Sequence, residues 1–269
     1  MINQKQRLTI LWIGFLAFFW ASCKKDVAQQ PQPYQLSYGD SILYLQPAAG
    51  DYIVYPTIPR SGTYAAFPEG IQIDENTGAI NISDSETGLR YRITHTDPDG
   101  TKTETKVVLS GITFTDHYYK ISSGDSIAAP VYNANPSTSL PIAGSIFDEG
   151  NTANSGGCSV KTNNGTINLA ETIRNGVFGS VPQNDERRDF DIEYRLNDAS
   201  DKSKNKLKVR LYYYDTMADV PQDLLDLLND REAQGLFLRS ALSPTIPSVA
   251  MRGQRLAKPR PPCIILVAN

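Results

Sequence analysis

Tryptophan is almost missing from this 269-residue chain. Its two copies, Trp12 and Trp20, both fall within the first 22 residues, so the remainder has no indole platform of the kind that stacks on sugars. Histidine is as scarce. His95 and His117 are the only two, neither stands in a His-Glu-x-x-His spacing, and no Gly-x-Ser-x-Gly elbow or P-loop occurs. These gaps exclude the motif-bearing metalloproteases, serine hydrolases and nucleotide-binding enzymes, although carboxylates paired only in space leave no linear trace. The chain therefore reads as a non-enzyme. Acids are missing before Asp26 and after Glu232. The net charge is −3, or −5 without the first 22 residues, whose charges are Lys5 and Arg7. Such mild acidity gives no footprint for nucleic acid. Finally, no apolar run approaches the ~20 residues a membrane-spanning helix needs.

The longest apolar run is Leu8 to Trp20, broken by Thr9, with Lys5 and Arg7 ahead of it and Ala21-Ser22-Cys23 behind. A charged start, a short apolar segment and small residues before the cut define a secretory signal over 1–22. A cysteine directly after small residues resembles the lipobox of bacterial lipoproteins, with Trp20 in place of the usual Leu. That resemblance implies cleavage before Cys23, diacylation of Cys23 and membrane attachment through the lipid. Secretion with an unmodified Cys23 is the alternative. Residues 23–33 carry no apolar cluster and read as a tether. The expected location is the cell envelope, as an outer-membrane lipoprotein on the periplasmic or the surface-exposed side.

What is plentiful is turn and strand chemistry: 14 Tyr, 19 Gly and many Thr, Ser and Asn. Ile71-Gln72-Ile73-Asp74-Glu75-Asn76-Thr77-Gly78-Ala79-Ile80-Asn81-Ile82 places alternating apolar residues on both sides of an Asn-Thr-Gly corner, the signature of a tight hairpin. It echoes in Val160 to Leu169, around Asn163-Asn164-Gly165. Gly39-Asp40-Ser41-Ile42 recurs as Gly124-Asp125-Ser126-Ile127, and Tyr91-Arg92-Ile93 as Tyr194-Arg195-Leu196. Three matches in one order indicate a tandem duplication. About 16 extra residues fall in the second copy, between Leu169 and Phe190.

Phe190 to Asn197 and Lys206 to Leu211 alternate apolar with polar, which predicts antiparallel sheets with one face packed and one wet. Leu89–Thr94 and Thr103–Leu109 play the same parts in the first copy, with Asp97-Pro98-Asp99-Gly100 as the turn. Short strands separated by turn signals predict an all-β chain of two tandem Ig-like β-sandwiches, over 34–112 and 113–217. The stretches GIQIDENTGAINI and DSETGLRYRITHTDPDG are similar to the cadherin-like and Ig-like repeats of bacterial (Bacteroidota-type) surface proteins. Residues 218–269 differ in composition. Pro221 opens a predicted helix with Leu224, Leu225, Leu227 and Leu228 on one side, expected to dock on the second copy. A basic, proline-rich tail follows, ending in Ile264-Ile265-Leu266-Val267, which is expected to add as a strand to a sheet edge.

Four site expectations follow. The cadherin-like resemblance implies calcium at Asp84, Glu86, Asp97 and Asp99. Against it stands the missing Asp-x-Asn-Asp-Asn linker, and turn formation is the competing role for these acids. Tyr212-Tyr213-Tyr214 must put Tyr213 on the opposite face from its neighbours, so at least one ring is expected to be exposed, and a glycan site at Tyr213 is the alternative to a protein partner. The second copy's extra segment, read as a loop, offers Arg174, Phe178, Arg187 and Arg188 for partner contact, or is a passive insertion. Outside the cytoplasm, Cys158 and Cys263 are either a disulfide that fastens the tail or two buried thiols. His95 reads as a surface residue. The predicted function is presentation of Ig-like domains for binding, for adhesion or as an accessory subunit of an outer-membrane assembly. An accessory glycan-binding lipoprotein is the alternative.

Overall fold

The computed structural model describes residues 34–138, 143–233 and 261–269. The signal, Cys23, the tether and most of the basic tail lie outside the described residues.

The chain is all-β, built as two tandem sandwiches with a few short helices. In the first, β1 (Ile42–Leu43), β7 (Lys102–Leu109), β6 (Arg90–Thr96) and β3 (Thr63–Phe67) form one sheet in that order. The strands β2 (Ile53–Val54), β5 (Ile80–Asn81) and β4 (Gln72–Ile73) form the other. Strict alternation along β6 buries Tyr91, Ile93 and His95 and leaves Arg90, Arg92 and Thr94 at the surface. Tyr64, Ile80, Ile82, Val107 and Leu109 complete the buried set.

The repeated corner is the same object in both copies. In the first, Asp74 N–H donates to Ala79 C=O (2.9 Å) and Gly78 N–H to Asp74 C=O (2.8 Å). In the second, Lys161 N–H donates to Thr166 C=O (2.8 Å) and Gly165 N–H to Lys161 C=O (2.8 Å). Gly78 and Gly165 take φ of +71° and +70°. A Cβ would stand 2.6 Å from the Tyr64 ring at the first and 2.7 Å from the Phe147 ring at the second. Both conformation and space demand glycine.

The second sandwich is larger. Short pairs join β8 (Ile112–Thr113) to β11 (Val131–Tyr132) and β10 (Ile127–Ala128) to β13 (Ile167–Asn168). The main sheet runs β12 (Ile146–Phe147), β14 (Glu186–Arg195), β15 (Lys204–Tyr214), β16 (Cys263–Val267) and β9 (His117–Lys120). The C-terminal strand therefore enters the interior of the sheet, parallel to both neighbours, rather than extending an edge as expected. All five of its residues are buried. A strand covered on both faces needs no polar alternation, which explains the unbroken Ile-Ile-Leu-Val.

Ile264 and Leu266 join Phe147, Ile167, Leu169, Ile192, Tyr194, Val209 and Leu211 in the sandwich core. On the opposite face Cys263, Ile265 and Val267 pack with Tyr212, Tyr214, Val220, Leu224, Leu225 and Leu228. The last three belong to the helix Gln222–Ala233, which begins just after Pro221 and covers this face, as the leucine stripe predicts.

The extra segment of the second copy is only partly a loop, over 175–185. Residues Leu169–Arg174 form a helix capped by the Asn168 side chain, which accepts from Glu171 N–H. Thr172 and Phe178 are fully buried, and residues from Glu186 onward are β14. The insertion is core, because its apolar side chains roof the main sheet.

Candidate functional site

The two sandwiches meet through a hydrogen-bonded joint. Tyr194, next to the last residue of β14, is buried, and its hydroxyl shares a bond with the Thr87 hydroxyl (2.9 Å). It also accepts from Ile112 N–H (3.3 Å). Asn205 Nδ2 donates to the same Thr87 oxygen (3.3 Å). Beside them the Asp198 carboxylate accepts from Tyr132 (2.8 Å) and Ser110 (3.2 Å), and Gln46 Nε2 donates to Ala199 C=O (2.7 Å). Burial pushes the Tyr194 phenol up to about 12, and burial with the Asp198 bond raises Tyr132 further, so both stay protonated donors. Backbones touch here too. A Cβ on Gly88 would lie 2.5 Å from the Ile112 carbonyl carbon, and one on Gly111 would lie 2.5 Å from the Thr87 hydroxyl. Residues 35–269 form one compact unit.

Beside this joint opens a cleft of about 790 Å³. The first sandwich contributes Leu45, Gly70 and Ser83 to Thr87; the second contributes Glu193, Lys204 to Lys208 and Pro261. The turn from Ser83 to Thr87 is held by its own bonds. Ser85 Oγ accepts from Gln72 N–H (2.9 Å), Glu86 N–H donates to Gly70 C=O (2.7 Å), and Asp84 accepts from Asn81 Nδ2 (3.0 Å). Across the cleft, the wet face of β14 and β15 carries acids facing bases. Lys204 Nζ lies 2.7 Å from Glu193, and Lys206 and Lys208 lie 3.7 and 3.9 Å from Asp191. Arg210 grips Asp189 at 2.6 Å. This half-exposed ladder adds little stability. It offers ammonium, carboxylate, amide and hydroxyl groups along one groove, enough to bind a polar ligand by hydrogen bonds.

Asp84 and Glu86 thus sit in the cleft, before the start of β6. Asp97 and Asp99 sit beyond its other end. Asp97 is ion-paired to Arg60 Nε (2.6 Å), and Asp99 accepts from Thr101 N–H (2.8 Å), which holds its carboxyl below the usual range. A strand seven residues long separates the two pairs by about 20 Å, so the four carboxylates do not make one calcium site. Among the described residues no three His, Cys, Asp or Glu side chains converge as a metal ion requires.

The partner-contact residues divide. Arg174, Arg187 and Arg188 are exposed and paired with Glu171, Asp185 and Glu186. Phe178 is not exposed: it packs in the second core against Tyr213, with ring centroids 5.5 Å apart. Tyr213 is buried beside it, and Tyr212 and Tyr214 are buried on the other face under the C-terminal helix, so the expected exposed tyrosine is absent from this trio. Period-two geometry was right, but the sheet is covered on both sides.

Cys158 and Cys263 are not bonded to each other. Cys158 lies in the sandwich core and Cys263 in the cluster on the far face of the main sheet, so the sheet itself separates the sulfurs. His95 is fully buried rather than superficial, 4.6 Å from the Tyr64 ring and with Nε2 3.2 Å from Ser61 C=O. Its place in the alternation of β6, between buried Ile93 and buried Asp97, is the signal that was available. The joint residues Thr87, Tyr194 and Asp198 carried no such signal, because their partners lie far away in sequence.

No protein-family model matches the chain, and no curated protein does. Solved structures similar to it include the EC1-3 fragment of mouse clustered PcdhgC3, at 9% identity and a TM-score of 0.21, covering 67% of this chain and 68% of that one. The EC1-4 fragment of Drosophila N-cadherin is 13% identical with a TM-score of 0.20, covering 66% of this chain and 48% of the other. The all-β assignment stands on the strands themselves.

Proposed function

We propose that this chain is a non-catalytic, lipid-anchored binding protein of the bacterial cell envelope, which takes a polar or charged ligand in the cleft between its two sandwiches. One observation carries the reading: groups from both sandwiches line one groove beside a joint closed by Thr87, Tyr194 and Asp198. A joint so fastened presents the groove preformed, which lowers the ordering cost of binding. The anchor rests on Ala21-Ser22-Cys23 behind the apolar run. Binding of fragment 34–269 to arrays of envelope proteins and glycans tests the site. Lys204→Glu with Lys206→Glu reverses one wall of the groove and abolishes binding while leaving the melting temperature near that of the parent. Binding unchanged by this pair refutes the cleft. Membrane fractionation of Cys23→Ser tests the anchor separately, because release into the soluble fraction is required.

Glycan binding is the second reading, favoured by a different feature. Tyr118, 37% exposed on the outermost strand β9, stacks on His117 with centroids 5.2 Å apart at 15°. That flat pair, rather than Tyr213, offers the platform, and Tyr118→Ala discriminates it from the cleft.

A further inference from the structure

The position of β16 carries an inference about self-association. In the main sheet of the second sandwich β9 is first along the chain and β15 comes next to last, and neither pairs with the other. Between them lies a slot two strand spacings wide, about 9.6 Å. The last residues of the chain fill it. Ile264 to Val267 face His117 to Lys120 on one side, and Cys263 to Val267 face Arg210 to Tyr214 on the other. The entry is fixed as well: Arg210 N–H donates to Pro262 C=O (3.0 Å), and Cys263 N–H to the Asp116 carboxylate (2.5 Å). At the exit Ala268 N–H donates to Tyr214 C=O (3.0 Å).

Every one of these contacts is local to the slot and the strand. None depends on which chain the strand comes from. The occupant is joined to the preceding helix through residues 234–260, since the helix ends at Ala233 and the described chain resumes at 261. That stretch of roughly 27 residues reaches up to about 95 Å when extended, well beyond the diameter of one sandwich. An element that is apolar, fully buried and on a long connection is the exchangeable kind. We propose that the slot between β9 and β15 is a docking site for the C-terminal strand of a second copy of this chain, and that the protein self-associates by exchanging β16. Within one chain the strand competes at an effective concentration on the order of millimolar, so exchange is favoured where copies are crowded together. The proposal does not rest on the cleft reading.

The parallel register supplies the test. Arg210 stands directly opposite Cys263, on the same face of the sheet. An acceptor chain carries Cys23→Ser, Arg210→Cys and Cys263→Ala; a donor carries only Cys23→Ser. The two are unfolded together, refolded under reductant, then oxidised in the native state. The expected product is a covalent dimer joined between positions 210 and 263, confirmed by peptide mass spectrometry, with a yield that rises with total concentration. A reference chain with Cys23→Ser and Arg210→Cys, keeping its own Cys263, closes the same bond internally and shows that the geometry permits it. If the reference closes and the mixture gives no dimer at any concentration, exchange is overturned. A second readout needs no new cysteine. The Cys23→Ser chain refolded at millimolar concentration yields a dimeric fraction on size exclusion, and strictly monomeric elution at every concentration refutes the proposal.

Discussion

Removing the Tyr194 hydroxyl tests whether the joint is held by the bonds described. In Tyr194→Phe the ring stays and keeps its apolar contacts in the second core. The oxygen's loss leaves Ile112 N–H without the acceptor it had at 3.3 Å and takes one of two partners from Thr87. An unsatisfied buried donor costs about 1–3 kcal/mol. For a unit of this size that lowers the melting temperature by roughly 2–4 °C per kcal/mol. Thr87→Val removes the other end of the bond. If the two hydroxyls act on one another, the double variant loses less than the sum of the singles, by about 0.5–1.5 kcal/mol. Urea unfolding of fragment 34–269 and its three variants measures the cycle. Strict additivity, within about 0.3 kcal/mol, refutes a direct Thr87–Tyr194 bond. A Tyr194→Phe chain as stable as the parent refutes the whole account of the joint.

Three further outcomes are expected. Phe178→Ala destabilises by about 3–5 kcal/mol, because the ring is fully buried against Tyr213, and deletion of 172–188 prevents folding; thermal melts check both. Alkylation without reductant labels both Cys158 and Cys263 in unfolded protein and neither in the fold, where burial pushes the Cys158 thiol up to about 12 and keeps it from forming thiolate; intact mass decides. The Arg210 bond holds the Asp189 carboxyl below its ordinary value, so its contribution is complete above the unfolded pKa near 3.8 and is lost as pH falls through the folded one. Asp189→Asn therefore narrows the stability gap to the parent as pH drops from 6 toward 2, measured by urea midpoints at each pH.

The corners, the alternating strands and the C-terminal helix were legible because each is set within about twelve residues. Asn-Thr-Gly and Asn-Asn-Gly name their turn directly, since a side chain at Gly78 or Gly165 meets both a positive φ and an aromatic ring. What misled was burial. Alternation says which residues share a face but not what covers it. Tyr212 and Tyr214 lie under a helix and Tyr213 under Phe178, so both faces of the strand are covered and the one exposed ring expected is not there. The acidic pairs misled differently. Asp84-Ser85-Glu86 and Asp97-Pro98-Asp99 are close in sequence, yet β6 runs straight between them and holds them apart. The cleft was illegible for the same physical reason as the joint: its two walls, Ser83 to Thr87 and Glu193 to Lys208, lie far apart along the chain.

The strand β16 joins these two lessons. Its sequence, Cys-Ile-Ile-Leu-Val, suits a strand whose sheet is covered on both faces, and all five residues are buried. The composition does not tell an edge from the interior, because that difference lies in backbone pairing and not in side-chain burial. The first copy shows what the sheet would be without it. There β1 pairs directly and in parallel with β7, through Ile42 opposite Val108 and Leu43 opposite Leu109. In the second sandwich the strand that pairs in parallel with β15 is β16, and β9 lies one strand further out. The second sandwich has a place in its main sheet that its own contiguous sequence, from 113 to 217, does not fill. Residues 263–267 complete the core from outside that span, with Ile264 and Leu266 on one face and Cys263, Ile265 and Val267 on the other.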